Sequence, residues 1–516
     1  MQPAKRVVVN TGILYARMAI TIFISLYVTR LILAALGAAD FGIFNVVGGA
    51  IAMLTFLNTA MAAATQRFMS YAQGEGDAQK QKSIFNVSVL LHFLIAILVV
   101  LLLEGVGYFL FNGILKIPED RVETAMLIYQ FMLVSTFFTI ISVPYDAVIN
   151  AHEHMLLVAI LGIIEALLKL AIAIYVTNTS LDKLASYGFL MAALSVFLLL
   201  LRRIYCHRKY HEVQIRIRRY FDKLLFKEMT GYASWALLSS AASIISMQGI
   251  TIILNSFFGV VVNAAQGVAN QISGQLLAFS STMLKALNPV IVKSEGENNR
   301  DQMLKASMTG SKISFFLLSF LSIPVIFEMP FILDIWLKEV PEYAVIFCRL
   351  ILIRLSIGQL TVTFPTSIGA IGNIKMFSTW DSIIYISVLP LSFIAFKLGT
   401  PPPTIYIILI VMVLALSVSR IYYINILGGL SFLIYLKNVL YPSMVVSTVT
   451  VSTASIPYIF MEEGYYRLSS VLLLSSISFI IAFYLWGLNA GERDQIKKMQ
   501  KSIICKLNGH LKVGLS

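Results

Sequence analysis

Charged residues are scarce in this 516-residue chain. Asp, Glu, Lys and Arg make up 13% of it, whereas 58% is hydrophobic and the mean hydropathy is +0.83. Soluble domains carry about 25% charged residues, so half that share cannot cover a surface that faces water. Uncharged runs such as 93–103 and 405–418 belong to segments near the roughly 20 residues that cross a hydrocarbon core. The composition therefore excludes a soluble domain and indicates an all-α polytopic membrane protein.

Cysteines and catalytic motifs are also few. Cys206, Cys348 and Cys505 are too scattered for a disulfide framework or a metal cluster. No G-x-x-x-x-G-K-[ST] loop occurs, so the chain lacks the usual phosphate cradle of an ATPase. No Ser/His/Asp or Cys/His arrangement stands out. We expect neither an enzyme nor a cofactor.

The stretch "AHEHM" at 151–155 resembles a metal or acid–base site, with two histidines flanking an acid. Zinc-binding histidines commonly stand four apart on a helix and are held by further partners. His152 and His154 stand two apart in a short turn, and the related turn "IGNIK" at 371–375 has neither histidine nor acid. We expect no metal there and interpret the turn as a solvated loop.

Basic residues outnumber acidic ones, 39 to 26, but a nucleic-acid partner is not indicated. Outside the predicted spans, 21 Lys and Arg fall in alternate loops and the two ends of the chain, against 3 in the other loops, as the positive-inside rule expects. This bias predicts that both termini are cytoplasmic, and the first apolar segment is interpreted as a retained helix. The predicted spans are 10–36, 42–70, 83–111, 122–144, 155–176, 182–204, 231–257, 259–288, 306–330, 343–370, 376–397, 403–424, 437–460 and 466–488.

The chain repeats itself at a spacing of roughly 220 residues. The matching pairs are "FGIFNVVGGA" (41–50) with "FGVVVNAAQGVA" (258–269), "YAQGEGDAQKQKS" (71–83) with "VKSEGENNRDQMLK" (292–305), and "SVPYDAVINAHEHM" (142–155) with "TFPTSIGAIGNIKM" (363–376). The repeated unit holds six spans, an even number, so both copies enter from the same side and form parallel repeats. The expected domains are an N-lobe 1–204, a basic linker 205–230, a C-lobe 231–424, an appended helical pair 425–490 and a basic tail 491–516.

Polar stripes mark the first two spans of each predicted lobe. In lipid such stripes must face protein or water, which favours a central cleft between the lobes. Close helix contact through small and hydroxylated residues is the alternative. The positions are Asn10, Arg17, Thr21 and Ser25 in span one, Thr55, Asn58 and Thr65 in span two, Ser239, Ser243 and Ser246 in span seven, and Asn263, Asn270, Gly274, Ser281 and Lys285 in span eight.

Charged side chains inside spans are costly and usually mark a pathway. Arg17 and Arg354 lie deepest, and we expect both in the cleft. Arg67 and Lys285 lie near the inner ends of their spans, where they would make the mouth of the cleft electropositive or snorkel to headgroups. Arg30 is closer to the outer face and is interpreted as snorkelling.

Acidic residues inside spans are candidates for coupling or gating. Glu165 and Lys169 stand four apart, the favourable order for a helical ion pair, so mutual neutralisation is the competing interpretation. Asp381, about one turn into span eleven, and Asp146, at the end of span four, are candidates for carrying a proton.

The segment "FGIFNVVGGAIAMLTFLNTAMAAATQRFMSYAQGEGD", with its second copy around "NAAQGVANQ" and "LNPVIVKSEGE", resembles the Wzx-type polysaccharide flippases. These belong to the multidrug/oligosaccharidyl-lipid/polysaccharide exporter superfamily. The resemblance covers about residues 1–424 and implies a V-shaped transporter of the bacterial inner membrane. The implied substrate is an undecaprenyl-diphosphate-linked oligosaccharide, moved from the cytoplasmic to the periplasmic leaflet for O-antigen, capsule or exopolysaccharide assembly.

The resemblance also implies partners and rivals. Membrane lipids, a polysaccharide polymerase and chain-length proteins are the implied partners. The appended pair resembles that of lipid II flippases, and a cation-coupled drug exporter of the same superfamily is the main alternative. Drug exporters usually carry acids within their lobe helices, whereas spans one, two, seven, eight and ten contain no Asp or Glu. The sugars, the coupling ion and the oligomeric state do not follow from the sequence.

Overall fold

The computed structural model describes residues 3–52, 55–111, 119–337, 339–489 and 491–493, and within these ranges regular structure is entirely helical. The α-helices are α1 Pro3–Ala52, α2 Thr55–Glu75, α3 Ala78–Phe109, α4 Val122–Ala151, α5 Met155–Asn178, α6 Lys183–Lys209, α7 Ile217–Tyr220, α8 Lys223–Gly296, α9 Arg300–Phe327, α10 Met329–Trp336, α11 Ala344–Gln359, α12 Phe364–Ile371, α13 Lys375–Lys397, α14 Thr404–Gly428, α15 Phe432–Tyr435, α16 Tyr441–Phe460 and α17 Tyr465–Ala482. Short π-helical segments, Leu436–Leu440 and Phe483–Gly487, precede α16 and follow α17.

Thirteen of these helical stretches are long and apolar enough to cross a membrane, which makes the chain a multi-pass membrane protein. The predicted span two, 42–70, is not among the thirteen, because residues 53–54 lie outside the described residues and divide it between α1 and α2. Its described helix α2 carries Asn58, Gln66 and Arg67, whose polarity lowers the hydropathy of the segment. The prediction of about 14 membrane helices agrees with the fold once this polar helix is added to the thirteen.

A single glycine bends each of the two longest helices. Gly37 in α1 has φ 75° and Gly259 in α8 has φ 76°, a backbone region that costs glycine little and other residues more. The two kinks lie 222 residues apart and separate the first span of each lobe from the second. This spacing agrees with two of the three sequence correspondences. The pairing of Phe41 with Phe258 is out of register by about five residues.

Each lobe has its own apolar interior. In the N-lobe α1 packs on α5 and α4 packs on α6, and in the C-lobe α8 packs on α9, α11 and α13. The fold therefore has two helical lobes, as predicted, with the appended helices α16 and α17 packed on each other and against α9.

The lobes meet at the end of the helices that carries the basic loops, called here the basic end. Leu14 of α1 forms a buried cluster with Met155 of α5 and Ala286 of α8. Met61 and Phe68 of α2 share another buried cluster with the first turns of α8. Thr59 of α2 and residues of α8 also line the cavity described below.

Predicted span ten is broken inside the C-lobe. Helix α11 ends at Gln359, a turn occupies 360–363, and α12 begins at Phe364 with Pro365 in its first turn. The equivalent Pro144 lies within the continuous helix α4, so the break is specific to the C-lobe. Thr363 stabilises the turn, since its hydroxyl donates to the carbonyl of Ser307 at 2.7 Å.

Two ion pairs attach α17 and the segment after it to α9. At the end opposite the basic loops, Arg467 donates to Glu328 at 2.9 Å, and Glu328 is 0% exposed. At the basic end, Lys312 donates to Glu492 at 2.6 Å, and Lys312 is 1% exposed. The appended pair is thus held to the C-lobe at both ends.

The turn between α4 and α5 differs from the predicted solvated loop, since its acid is buried. Glu153 has φ 57° and is 6% exposed, because α1 and α8 pack over it. His152 pairs with Glu212, and His154 contacts the hydroxyl of Tyr210 at 2.6 Å. Burial first, and then the neighbouring His152, lowers the pKa of His154. Within the described residues no group of three His, Cys, Asp or Glu side chains is placed to hold a metal ion.

Candidate functional site

A cavity of about 480 Å³ lies on the inner face of the C-lobe, with α2 of the N-lobe opposite. Thr59 comes from α2, and the other lining residues come from α8 and from α12 to α14 and the loops between them. Ser239 and Ser243 of the predicted polar stripe lie in its wall. The hydroxyl of Ser239 donates to the carbonyl of Ser378 at 3.2 Å, which ties α8 to α13.

The cavity also holds an acid and a base. Asp381 of α13 is 5% exposed, and its Oδ1 has no hydrogen-bond partner among the described residues. Arg420 of α14 also lines the cavity, and its Nη1 lies 3.5 Å from the hydroxyl of Thr361 in the helix break. Both charges line the cavity and interact electrostatically, but the two side chains are not within salt-bridge distance. Discontinuous membrane helices of this kind often form substrate and ion sites.

Sequence reasoning missed Arg420. It lies eight residues from the end of α14, where a cation is readily explained by snorkelling to the basic surface. The signal that could have found it is the proline-containing segment "TVTFPT" at 361–366, which indicates a break in the neighbouring span.

Arg354 lies in α11, half-buried, and its Nε has no partner among the described residues. Tyr385 and Tyr406 are the side chains that interact with it electrostatically. Tyr385 also lines the cavity, whereas Arg354 itself does not. This placement is near the predicted cleft, and it brings a second cation to the same region as Arg420.

Arg17 lies in α1 and is directed toward α5 of its own lobe. A Cβ on Gly162 of α5 would overlap the Arg17 guanidinium, so the two are in direct contact. Its neighbours face the C-lobe instead, since the Tyr15 hydroxyl donates to the carbonyl of Phe279 at 2.8 Å. The structure therefore places Arg17 beside the seam between the lobes, without an ion pair among the described residues.

Arg67 of α2 crosses the seam. Its guanidinium donates to the carbonyls of Gly369 at 3.0 Å and Ala370 at 2.9 Å, the last turn of α12. It also stacks over the rings of Phe68 and Tyr232. A cation at a helix C-terminus is favoured because the carbonyls there lack helical partners. Arg67 therefore joins the lobes in this structure.

The remaining predicted site residues are spread along the seam and within the lobes. Lys285 is exposed and makes no ion pair with a described residue. Asn58 lines a separate cavity of about 130 Å³ inside the N-lobe, with Ser135 and Thr136. Asn263 has a buried Oδ1 without a partner among described groups, and Asn270 is half-buried on the same helix, α8. The structure brings none of these four to the main cavity wall.

The predicted helical ion pair forms within α5. Lys169 donates to Glu165 at 2.7 Å, and both side chains are about one-third exposed. Asp146 at the end of α4 is likewise paired, with Arg202 at 2.8 Å. Asp381 thus differs from these acids, because it is buried beside a cavity and lacks a salt bridge to any described residue.

Comparisons with known proteins identify a family and a shared fold. The family described as "Polysaccharide biosynthesis protein" matches residues 8–295, more than half of the chain. No curated protein matches the sequence.

Solved structures share the fold at low sequence identity. An outward-facing multidrug resistance MATE family transporter of the MOP superfamily superposes with a TM-score of 0.69 at 16% identity, covering 84% of this chain and 98% of its own. A MOP superfamily transporter from Pyrococcus furiosus, titled for the reverse polarity of its binding pocket, gives 0.69 at 14%, covering 83% and 97%. A MATE protein in the straight conformation gives 0.62 at 14%, covering 97% and 98%. The chain belongs to the polysaccharide biosynthesis protein family and is a multi-pass membrane protein whose fold is similar to that of MOP superfamily transporters.

Proposed function

We propose that this protein is a flippase that moves an undecaprenyl-diphosphate-linked oligosaccharide from the cytoplasmic to the periplasmic leaflet of the bacterial inner membrane. The product would supply O-antigen, capsule or exopolysaccharide assembly. The family match, the MOP fold and the cavity between the lobes support alternating access around a central site. The basic end is then the cytoplasmic end, in keeping with the positive-inside rule.

Two arginines in and near the cavity wall carry the proposal. Arg420 lines the cavity together with Asp381, Arg354 lies near the wall residue Tyr385 without lining the cavity, and neither arginine has a salt bridge with a described residue. A diphosphate is an anion that arginine binds well, because the guanidinium presents a planar pair of donors. The serine hydroxyls of the wall suit the hydroxyls of a sugar.

The substrate's three parts would be held differently. The diphosphate would contact the arginines, the sugars would occupy the water-filled space between the lobes, and the polyprenyl chain would remain among lipids. Arg17, beside the seam, would meet the diphosphate on its way from the basic end. Each contact is reversible, as a carrier requires.

Complementation of a glycan-export defect tests this function. Arg354→Ala and Arg17→Ala, at normal membrane levels, should abolish complementation and leave lipid-linked glycan in the cytoplasmic leaflet. The lysine variants should keep part of the activity because they keep the charge. Arg30→Ala is the matched control, since Arg30 is exposed and contacts no described partner. Full activity in both alanine variants would remove the cationic site.

We further propose that Asp381 couples the cycle to a cation gradient. Its buried, unpartnered carboxylate beside Arg420 is suited to bind a proton or sodium ion when the substrate is absent. The same feature favours a cation-coupled drug exporter as the second candidate function. Asp381→Asn should lose uphill transport while retaining downhill exchange in sealed vesicles. Uncoupler-insensitive glycan transport by the parent would count against coupling, and cationic drug efflux without glycan transport would favour the exporter.

A further inference from the structure

The basic ends of α2 and α8 cross with their backbones in contact. A Cβ on Gly74 would overlap the carbonyl of Lys293, and a Cβ on Gly296 would overlap the carbonyl of Tyr71. The contact is reciprocal, since each glycine of one helix meets the residue three positions before the glycine of the other. Most packed helices are held 8–10 Å apart by their side chains. Here the two helices approach so closely that only glycine, which has no Cβ, fits at the contact.

The two glycines are equivalent under the repeat. They are 222 residues apart, the spacing that also separates the kinks at Gly37 and Gly259. They belong to the matching sequences "YAQGEGD" and "VKSEGEN". The crossing therefore lies on the approximate two-fold axis that relates the lobes. If the lobes open at the basic end, α2 and α8 must separate at this crossing first.

Two polar contacts flank the crossing and also join the lobes. On one side Glu153 of the N-lobe lies 3.8 Å from Nζ of Lys293 on α8, the contact that joins the lobes, and it also accepts from Arg6 of its own lobe at 3.3 Å. Glu153 further holds α1 through its carbonyl, which accepts from the amide of Asn10 at 3.2 Å. Each of these contacts involves the α4–α5 turn of the N-lobe.

On the other side Arg67 of α2 donates to the α12 terminus, next to Gly372. The two contacts correspond under the repeat. One fixes the turn after α4 and the other fixes the turn after α12, so each lobe has its inner turn held by the other lobe.

We propose that the Gly74–Gly296 crossing is the cytoplasmic gate, and that Glu153 and Arg67 lock it. The proposal rests on the proposed function in one respect, because alternating access requires this side to open when substrate enters. Side chains added at either glycine would force the helices apart and favour the cytoplasm-open state. Loss of a lock would act in the same direction without adding volume.

Thiol labelling tests the gate without any substrate. The three native cysteines are replaced, Ser243→Cys is placed in the cavity wall, and a membrane-impermeant maleimide is added to inside-out vesicles. Gly74→Ala and Gly296→Ala should each raise labelling at least about fivefold, equivalent to about 1 kcal/mol. Gly267→Ala is the matched control, since it lies in α8 with no atom near its added Cβ. Labelling of both variants at the parent rate would overturn the proposal.

Glu153→Gln covers the case in which the alanine variants fail to accumulate. It keeps the size of the side chain and removes the charge that pairs with Arg6 and Lys293. It should also raise cytoplasmic labelling, and an unchanged rate would refute the role of the lock. If labelling changes as expected while the parent does not translocate lipid-linked glycan, the gate stands and the proposed function fails.

Discussion

Arg467→Met should lower the stability of the protein by weakening the packing of the appended helices on α9. The guanidinium makes two bonds to Glu328, at 2.9 Å from Nε and 3.1 Å from Nη2, and stacks over Tyr458. Glu328 is 0% exposed, so removing its partner leaves a buried carboxylate unpaired. Breaking a buried ion pair in this way costs about 3–5 kcal/mol.

Two companion variants separate the pair from its surroundings. Glu463→Gln removes the second acid near Arg467. The side chain of Glu463 is 44% exposed, so its loss should cost less than about 1 kcal/mol of stability. Glu328→Gln combined with Arg467→Met removes both charges, and it should recover most of the stability because no unpaired ion remains.

Reversible unfolding by added SDS in bicelles, followed by tryptophan fluorescence, measures these differences. The order of stability should be parent, Glu463→Gln, the double variant and then Arg467→Met. A loss below about 1 kcal/mol for Arg467→Met, far short of a broken buried pair, would refute the reasoning. So would a double variant less stable than Arg467→Met.

Three further outcomes follow from the same geometry. Arg67→Lys should keep part of the transport activity, and Arg67→Met should have about tenfold less activity than the lysine variant. Only arginine reaches both carbonyls while stacking on the rings. Equal activities of the two variants in a vesicle transport assay would contradict this. Gly162→Ala should lower transport by displacing Arg17, whereas Gly105→Ala, with open space around it, should not, and equal transport rates would exclude the contact. Glu492→Gln should destabilise the protein more than Lys312→Met in the same unfolding assay, because the ammonium it strands is 1% exposed whereas the carboxylate of Glu492 is 21% exposed.

Much of the fold follows from local properties of the sequence. Apolar runs of bilayer length predict the helices, and a repeat of six spans predicts parallel lobes. Both signals are read from the sequence without knowing which helices are in contact. The pair of Glu165 and Lys169 is confirmed for the same reason, since its partners are one helical turn apart.

The site was less accessible to sequence reasoning. The sequence predicts Arg67 at an electropositive mouth or snorkelling to headgroups, whereas the structure places it on the carbonyls of Gly369 and Ala370, more than 300 residues away. The sequence predicts Glu153 in a solvated turn, whereas packing by α1 and α8 buries it. Such contacts depend on which faces of distant helices meet, and hydropathy carries no information about that.

The sequence by itself determined a two-lobed membrane protein with more cations than acids in its spans, because hydropathy, repeats and charge can be read without knowing any tertiary contact. Only the tertiary structure decided which cations stand at the cavity, as Arg420 does, and which join the lobes, as Arg67 does. The physical reason is that the partner of a charged side chain in a membrane determines whether that side chain binds a ligand or joins helices. For these residues that partner, or the cavity that replaces it, is formed by helices far apart in the chain.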